Sequence, residues 1–293
     1  MIITELVGGL ANQMVIYAAA KSLSEHLQVE LKFDITKLNK DKKRSYALNH
    51  LNLETKIATQ EEIDLISQKS NSWFINKVKR TIRKKCNGNA FGIYKEPAIS
   101  FDSNFFSLPD NTYIKGNFIN ALYFSPIEKM LRHEFQIKSP LSKKTKELIK
   151  PITSGESVSI HIRRGDYANE KKTNEIHGLI PIDYYKTAID LISNRIKSPS
   201  FYIFSDDISW VKENLPNTQE MYFIDHTDGE TAYEDLYMMS LCKHNIIANS
   251  GFSYWAAWLN SNEEKLVISP KQWFADNKLN DRFKLIPEGW LKI

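Results

Sequence analysis

The sequence contains little cysteine: Cys86 and Cys242 are the only two among 293 residues. Two cysteines cannot build the disulfide framework of a small secreted protein, and neither has a nearby partner at a zinc-binding spacing. We therefore expect the protein to work in a reducing compartment.

Long hydrophobic runs are missing as well. The longest uncharged stretch near the start, residues 6–20, is shorter than the roughly 20 apolar residues that span a bilayer. The first residues also lack the basic segment that opens a secretory signal. These absences predict a cytoplasmic protein.

Metal-binding patterns are absent from the sequence too. The seven histidines show no HxxxH spacing, and no clear DxD motif stands near a predicted strand end. We therefore predict no metal and no cofactor. The net charge of +4 is mild and fits an anionic substrate, an acidic membrane or neither.

The clearest pattern is an alternation of strands and helices. A strand over residues 2–6, two glycines, a helix over 13–26 and a strand over 29–33 form a βαβ opening. After residue 157, strands and helices again alternate with short links, which is typical of a doubly wound parallel sheet. Pro140 and Pro151 flank a lysine-rich stretch between these regions. We predict an α/β fold with domains 1–150 and 151–293.

The strongest local motif is SVSIHIRRGDY, residues 157–167. Its apolar residues occupy alternate positions of a strand, so His161 and Arg163 share the opposite face. They approach the carboxyl end of the strand, where open α/β sheets bind ligands. The guanidiniums of Arg163 and Arg164 suit a diphosphate because each presents a planar fork of donors. The alternative is a surface ion pair on a tight turn that ends at Asp166.

A second motif, GGLANQ, opens the first helix. Glycines at this position let backbone N–H groups approach an anion or a sugar. Asn12 is the candidate binding residue, because its side chain both donates and accepts hydrogen bonds. The alternative is an ordinary turn, since neither a P-loop lysine nor a GxGxxG pattern is present.

The third candidate region contains the strand–loop–helix stretch NSGFSYWAAWLN. Its loop places hydroxyl and N–H groups where they can collect a phosphate. The candidate donor-binding residues of this loop are Asn249, Ser250, Phe252 and Ser253. Upstream, Asp235 either binds the adjacent N–H donors of a guanine edge or only complements its helix dipole.

Two acids, Asp206 and Asp207, follow a strand in the motif FSDD. At least one of them is expected to cap the helix that comes next. The functional alternative is a carboxylate bonded to the nucleotide or to Arg164.

Taken together, the three main stretches resemble the bacterial branch of the α-1,2-fucosyltransferases, glycosyltransferase family 11. Members of that family carry GGLGNQMFQYA, HIRRGDY and NSTFSWWAAWL, which here read GGLANQMVIYA, HIRRGDY and NSGFSYWAAWL. The order agrees over nearly the whole chain, residues 6–290. HxRRxD is shared with α-1,6- and protein O-fucosyltransferases, so it indicates the donor more than the linkage.

The resemblance implies a GT-B-like fold, in which two Rossmann-type domains face a cleft. The N-terminal domain would bind mainly the acceptor and the C-terminal domain GDP-fucose. The implied reaction is inverting transfer of L-fucose from GDP-β-L-fucose to a galactoside hydroxyl, without a metal. The acceptor would be a galactose-containing oligosaccharide, either free or linked to a lipid, as in O-antigen synthesis. The resemblance assigns the diphosphate to Arg163, the guanosine to His161 and Asp235, and the phosphate lining to Ser250 and Ser253.

The implied chemistry also raises the question of a base for the acceptor hydroxyl. Loss of the sugar leaves negative charge on the diphosphate, and fixed cationic donors must stabilise that charge. A general base would add roughly 10²–10⁴ in rate. Asp166 is the candidate and His177 the alternative, while Asp166 also fits an orienting role toward the arginines.

Other functions stay open at this point. The nearer ones are a fucosyltransferase of another linkage and a transferase that uses GDP-mannose. A basic nucleic-acid-binding protein would depend on the helix predicted over residues 73–85, but no nucleic-acid fold signature accompanies it, and we predict no such partner. That helix is either a solvated surface helix or a peripheral contact with an anionic membrane.

Overall fold

The computed structural model describes residues 1–67, 92–97, 99–215 and 220–293, apart from the side chain of Asp166. The basic helix predicted over residues 73–85 therefore lies outside the described residues, as does Cys86. Within the described ranges, no helix combines the length and apolar character that crossing a membrane requires. The chain divides into two compact units, Met1–Lys138 and Ser139–Ile293.

The first unit is built on a four-stranded parallel sheet of order β2-β1-β4-β3. Its strands are β1 (Ile2–Glu5), β2 (Leu31–Asp34), β3 (Gly92–Lys95) and β4 (Thr112–Lys115). Its described helices are α1 (Leu10–Leu27), α2 (Gln60–Ser67) and α3 (Glu128–Glu134). Most of α1 is buried, and its Tyr17 ring stacks on Phe33 of β2 with centroids 5.7 Å apart. This stack packs α1 onto the sheet.

The second unit is built on a six-stranded parallel sheet of order β10-β9-β8-β5-β6-β7. Its strands are β5 (Ser157–Ile162), β6 (Ser200–Ser205), β7 (Glu220–Phe223), β8 (His244–Ile246), β9 (Val267–Ser269) and β10 (Leu291–Lys292). Its described helices are α4 (Lys143–Ser154), α5 (Gly165–Asn169), α6 (Lys171–His177), α7 (Ile182–Ser193), α8 (Ile208–Asn214), α9 (Ala232–Leu241), α10 (Gly251–Leu259) and α11 (Asn277–Arg282). The predicted α/β class with parallel sheets is confirmed.

The division between the units falls between Lys138 and Ser139, ahead of the boundary predicted at residue 150. The reason is α4, which the boundary predicted at residue 150 would divide. Glu234 of α9 accepts hydrogen bonds from the Ser142 N–H at 3.0 Å, the Ser142 hydroxyl at 2.7 Å and the Thr145 hydroxyl. These bonds fasten the start of α4 to the second unit.

The order of the strands reverses within the second sheet. From β5 the chain runs outward to β6 and β7, whereas β8 lies on the other side of β5 and leads to β9 and β10. In open α/β sheets, ligands bind at the carboxyl ends of the two strands where this reversal occurs. The residues that follow β5 and β8 therefore occupy the switch point of this unit.

Candidate active site

The predicted alternation of β5 is confirmed. Its apolar residues Val158, Ile160 and Ile162 belong to the core that α7 and α8 cover. His161 lies on the other face, where its ring centroid is 5.6 Å from that of Phe252. The strand thus delivers His161, followed by Arg163, to the switch point.

Arg163 contacts an acidic side chain and an aromatic ring. Its Nη1 lies 2.9 Å from Asp206 Oδ2, and its guanidinium carbon lies 5.5 Å from the centre of the Tyr167 ring. The side chain is still 23% exposed. Arg163 is therefore anchored and also accessible to a ligand at the switch point.

Arg164 has a different environment. Its guanidinium carbon lies 3.5 Å from the centre of the Trp210 ring, a cation–π contact, and its Nε lies 3.8 Å from Asp207 Oδ2. Its backbone N–H donates to Asp206 Oδ1 at 2.8 Å. Asp207 also accepts the Trp210 N–H at 3.2 Å, which confirms the predicted helix cap. The two arginines are thus oriented by separate side chains of one turn.

His161 is almost fully buried, with 5% of its surface exposed. Burial, and secondly the positive charge of Arg163, lower the pKa of His161 to about 3. The imidazole is therefore neutral at physiological pH. Its Nδ1 has no hydrogen-bond partner among the residues that the structure describes. A neutral ring with such a nitrogen suits a polar contact with a ligand better than proton transfer.

The turn between β8 and α10 forms the other side of the switch point. Ser250 caps α10, since its Oγ accepts the Phe252 N–H at 3.3 Å. The first turn of α10 carries no acidic residue, so the positive end of the helix dipole is not neutralised there. Ser253 is 1% exposed, and its hydroxyl binds the Ser250 carbonyl and the Ala248 N–H. Ser253 therefore shapes the loop.

Asn249, which precedes this cap, ties together three loop carbonyls. Its Nδ2 donates to His177 at 2.9 Å, Gly178 at 3.3 Å and Trp273 at 3.2 Å. Three acceptors around one amide nitrogen determine which way the amide points. Its Oδ1 is buried without a hydrogen-bond partner in the described part of the chain. Asn249 therefore both fastens the loops and offers one acceptor.

An aromatic stack connects Arg163 with His177. The Tyr167 ring, which Arg163 approaches, lies parallel to the His177 imidazole with centroids 4.7 Å apart and 10° between planes. The His177 ring is in turn 5.6 Å from Phe274. The Tyr167 hydroxyl donates to the Asn249 carbonyl at 3.3 Å. His177 thus belongs to the same cluster as Arg163.

Asp235 lies in the first turn of α9. Burial raises the pKa of this carboxyl to about 7, although a hydrogen bond from the Thr227 hydroxyl at 2.8 Å acts in the opposite direction. Because α9 follows β7 of a parallel sheet, its first turn lies at the carboxyl edge of the sheet. Asp235 is therefore a carboxyl group at this edge whose charge changes near neutral pH.

Asn12 belongs to the first unit, where it is exposed beside Gly8. Gly8 has a φ of +76°, and a Cβ there would lie 2.5 Å from Asn12 Nδ2, so only glycine fits. The next residue, Gln13, is fully buried and donates to the carbonyls of Gly8 and Ser45, both at 2.8 Å. It also accepts the Ala47 N–H at 2.9 Å. Gln13, which the sequence reading passed over, holds this loop together.

Asp166 has its backbone in α5, but its side chain lies outside the described part of the structure. The sequence also predicts that the protein binds no metal. Across the described ranges, no three His, Cys, Asp or Glu side chains group in a way that could hold a metal ion.

Sequence reasoning also missed two aromatic residues of the site. Tyr167 follows Arg163 by four residues, and Trp210 follows the Asp207 cap by three. Tyr167 lies in the short helix that directly follows the arginines, and Trp210 lies in the first turn of the helix that Asp207 caps. An aromatic ring one turn after an arginine or a cap is thus the signal that identifies them.

The family model for Glycosyl transferase family 11 matches residues 1–293, the whole chain. The chain belongs to this family. It is 31% identical to the O-antigen biosynthesis glycosyltransferase WbnK of Escherichia coli, over 98% of this chain and 99% of that protein. It is 33% identical to the alpha-1,2-colitosyltransferase of Escherichia coli, over 100% of this chain and 99% of that protein.

A solved structure shows the fold of this family 11 glycosyltransferase. Fucosyltransferase NodZ from Bradyrhizobium superposes with a TM-score of 0.52 at 12% identity, over 87% of this chain and 91% of that one. The predicted GT-B-like class is confirmed. In the family 11 chain, HIRRGDY runs from the end of β5 into α5, and NSGFSYWAAWL contains the turn after β8 and the whole of α10. Two of the three motifs therefore meet at the switch point of the second unit.

Proposed function

We propose that this glycosyltransferase moves L-fucose from GDP-β-L-fucose to a galactose hydroxyl, with inversion and formation of an α-1,2 linkage. The observation that carries the proposal is Arg163 at the switch point, anchored by Asp206 and still 23% exposed. A diphosphate is the ligand that suits a guanidinium fork in this position. The three motifs shared with α-1,2-fucosyltransferases support fucose as the sugar.

The first part of the mechanism is stabilisation of the leaving group. When the bond between fucose and the diphosphate oxygen breaks, the sugar becomes cationic and the diphosphate gains negative charge. Arg163 donates to that charge from a fixed orientation, and the N-terminus of α10, capped by Ser250, supplies backbone N–H groups. We assign no metal to this step.

The second part is recognition of the guanosine. Guanine presents two adjacent N–H donors, which match the two oxygens of an ionised Asp235. The neutral His161, with its buried Nδ1, is assigned a polar contact with the nucleoside. Asn249 contributes its unpaired Oδ1 to the same site.

The third part concerns the acceptor. Since one full-length relative acts in O-antigen biosynthesis, we assign an O-antigen oligosaccharide that contains galactose, carried on a lipid, as the acceptor. We assign acceptor binding mainly to the first unit and donor binding to the second. Asp166 is the candidate base for the acceptor hydroxyl, and His177 is the alternative.

A second candidate donor is GDP-colitose, because a relative with 33% identity over the whole chain is an alpha-1,2-colitosyltransferase. Colitose is L-fucose without the hydroxyl at carbon 3. A site that hydrogen-bonds this hydroxyl rejects the deoxy sugar strongly, whereas an apolar site discriminates weakly. The ratio of the two donors therefore reports what the protein places against carbon 3.

The donor comparison tests the proposed function. We expect kcat/KM with GDP-fucose to exceed that with GDP-colitose by at least about tenfold, and GDP-mannose to give no transfer. The measurement is donor consumption with a panel of galactosides, followed by NMR of the product to establish the linkage. A reversed ratio would establish the colitose alternative, and transfer from GDP-mannose would refute both.

Turnover is also expected to be unaffected by chelation. In our proposal, Arg163 and the N-terminus of α10 supply the positive charge that a metal provides in other sugar transferases. Initial rates should be equal within error with an excess of EDTA and with added manganese. Abolition by EDTA and recovery with manganese would refute the role assigned to the guanidinium.

A further inference from the structure

One segment, residues 205–210 from the end of β6 into the first turn of α8, contacts both arginines of the site. Strands β5 and β6 are paired in parallel with Ile162 opposite Ser205. The next residues, Arg163 and Asp206, therefore leave the sheet side by side. Their opposite charges meet at 2.9 Å.

Asp206 makes two bonds to the arginine segment with its two carboxylate oxygens. Oδ2 binds Nη1 of Arg163, and Oδ1 accepts the backbone N–H of Arg164 at 2.8 Å. One carboxylate thus fixes both the guanidinium and the main chain from which the next guanidinium projects. Charge-assisted bonds of this kind are the stronger class of hydrogen bond.

Gly165, the residue after the two arginines, lies close to the Asp206 carboxylate. A Cβ on Gly165 would lie 2.4 Å from Asp206 Oδ2 and 3.0 Å from its Cγ. Gly165 has no left-handed φ that would require glycine for its backbone. The glycine of the RRGD motif therefore makes room for the Asp206 side chain.

We propose that Asp206 is a positioning residue that orients Arg163 toward the diphosphate. The inference rests on the proposed function, because it concerns the arginine assigned to the leaving group. An arginine side chain samples many rotamers, and a partner that selects one removes this cost before the reaction. Asp206 itself does not contact substrate in this proposal.

The first test is Asp206→Asn, which keeps the shape and the acceptor for Arg164 N–H but removes the negative charge. We expect kcat to fall about tenfold with a smaller change in KM, while the melting temperature stays near that of the wild type. Asp225→Asn is the matched control, since Asp225 also follows a strand and forms an ion pair with Lys212 at 3.4 Å. The control should retain wild-type kinetics.

The decisive measurement is the coupling between Asp206 and Arg163. If Asp206 acts through Arg163, Asp206→Asn should cause no further loss in an Arg163→Ala background. The same tenfold loss in both backgrounds would overturn the proposal. So would an unchanged kcat combined with tighter GDP binding, because Asp206 would then compete with the diphosphate.

Gly165 provides an independent test. Gly165→Ala should lower kcat about as much as Asp206→Asn, because the new methyl group must displace the carboxylate. In an Asp206→Ala background, the same glycine substitution should cause no additional loss. An additional loss would mean that Gly165 serves another purpose and would count against the proposal. Failure of the proposed function would look different from failure of this inference. In that case the wild-type protein itself would transfer no sugar from GDP-fucose.

Discussion

Replacing Arg163 by alanine is expected to lower kcat/KM for GDP-fucose by about 10²–10³, the usual loss for one donor to a developing negative charge. Arg163→Lys is expected to lose nearly as much. The ammonium keeps the charge but presents it as a point on a flexible stem, so it cannot reproduce the planar fork. It also cannot share the two sides of that fork between Asp206 and a diphosphate.

Steady-state kinetics of both variants, beside wild type, measure this loss. Arg195→Ala is the matched control, because Arg195 is an exposed arginine just beyond α7. It should retain wild-type activity. Thermal unfolding of all three variants separates loss of function from loss of fold. Full activity of Arg163→Lys would contradict the bidentate role.

The affinity for GDP-fucose is expected to rise about tenfold per pH unit from about pH 5 to about pH 7 and to be constant above. The cause is Asp235, whose pKa burial raises to about 7. Guanine N–H donors bind the ionised carboxylate, so binding must expel a proton below this pKa. GDP-fucose is the suitable probe because its diphosphate is esterified at both ends and does not titrate in this range.

Calorimetry in two buffers of different ionisation enthalpy measures the proton release directly. Asp235→Asn should bind more weakly at pH 8 and show no dependence on pH. Neighbouring Glu234 stays charged in this range: burial raises its pKa, but hydrogen bonds from Thr145 and Ser142 outweigh this, so its net pKa is lowered. Its negative charge adds to the raised pKa of Asp235. A pH-independent affinity in the wild type would remove Asp235 from the guanine site.

The same raised pKa affects folding. The folded Asp235 holds its proton up to about pH 7, whereas the unfolded carboxyl releases it near 3.8. The folded state therefore binds more protons between these values, and the contribution of Asp235 to the free energy of unfolding falls as pH rises through this window. Above pH 7 this contribution is constant.

Much of the site could be predicted from local sequence. The alternation of β5 identified the face that carries His161, and a carboxyl-end position identified Arg163 as a candidate ligand residue. These signals are readable because strand period and the binding edge of parallel sheets follow from backbone geometry alone. The helix cap formed by Asp207 could be predicted in the same way, from local sequence alone.

Other features depend on contacts between distant residues. The stretch around Pro140 and Pro151 resembles a linker, yet it contains α4, whose start is bound by Glu234 some 90 residues later. Ser253 has a hydroxyl in a plausible phosphate loop, but burial uses that hydroxyl within the loop. Nothing local in the sequence distinguishes a buried hydroxyl from an exposed one. The same holds for Gln13, whose three partners lie in two loops.

The bonds between Glu234 and the start of α4 indicate where this chain can be joined to a relative. A hybrid joined at residue 150 would place foreign residues opposite Glu234 in place of Ser142 and Thr145. Where the other relative lacks hydroxyls at these positions, the buried carboxylate would lose two donors, at a cost of about 1–3 kcal/mol or more for a charged group. A junction before Ser139 keeps α4 and Glu234 in the same parent chain, so the Glu234 carboxylate keeps its hydrogen-bond donors. A hybrid that exchanges the first unit of one relative for that of another is therefore best joined at this point, where α4 stays with Glu234.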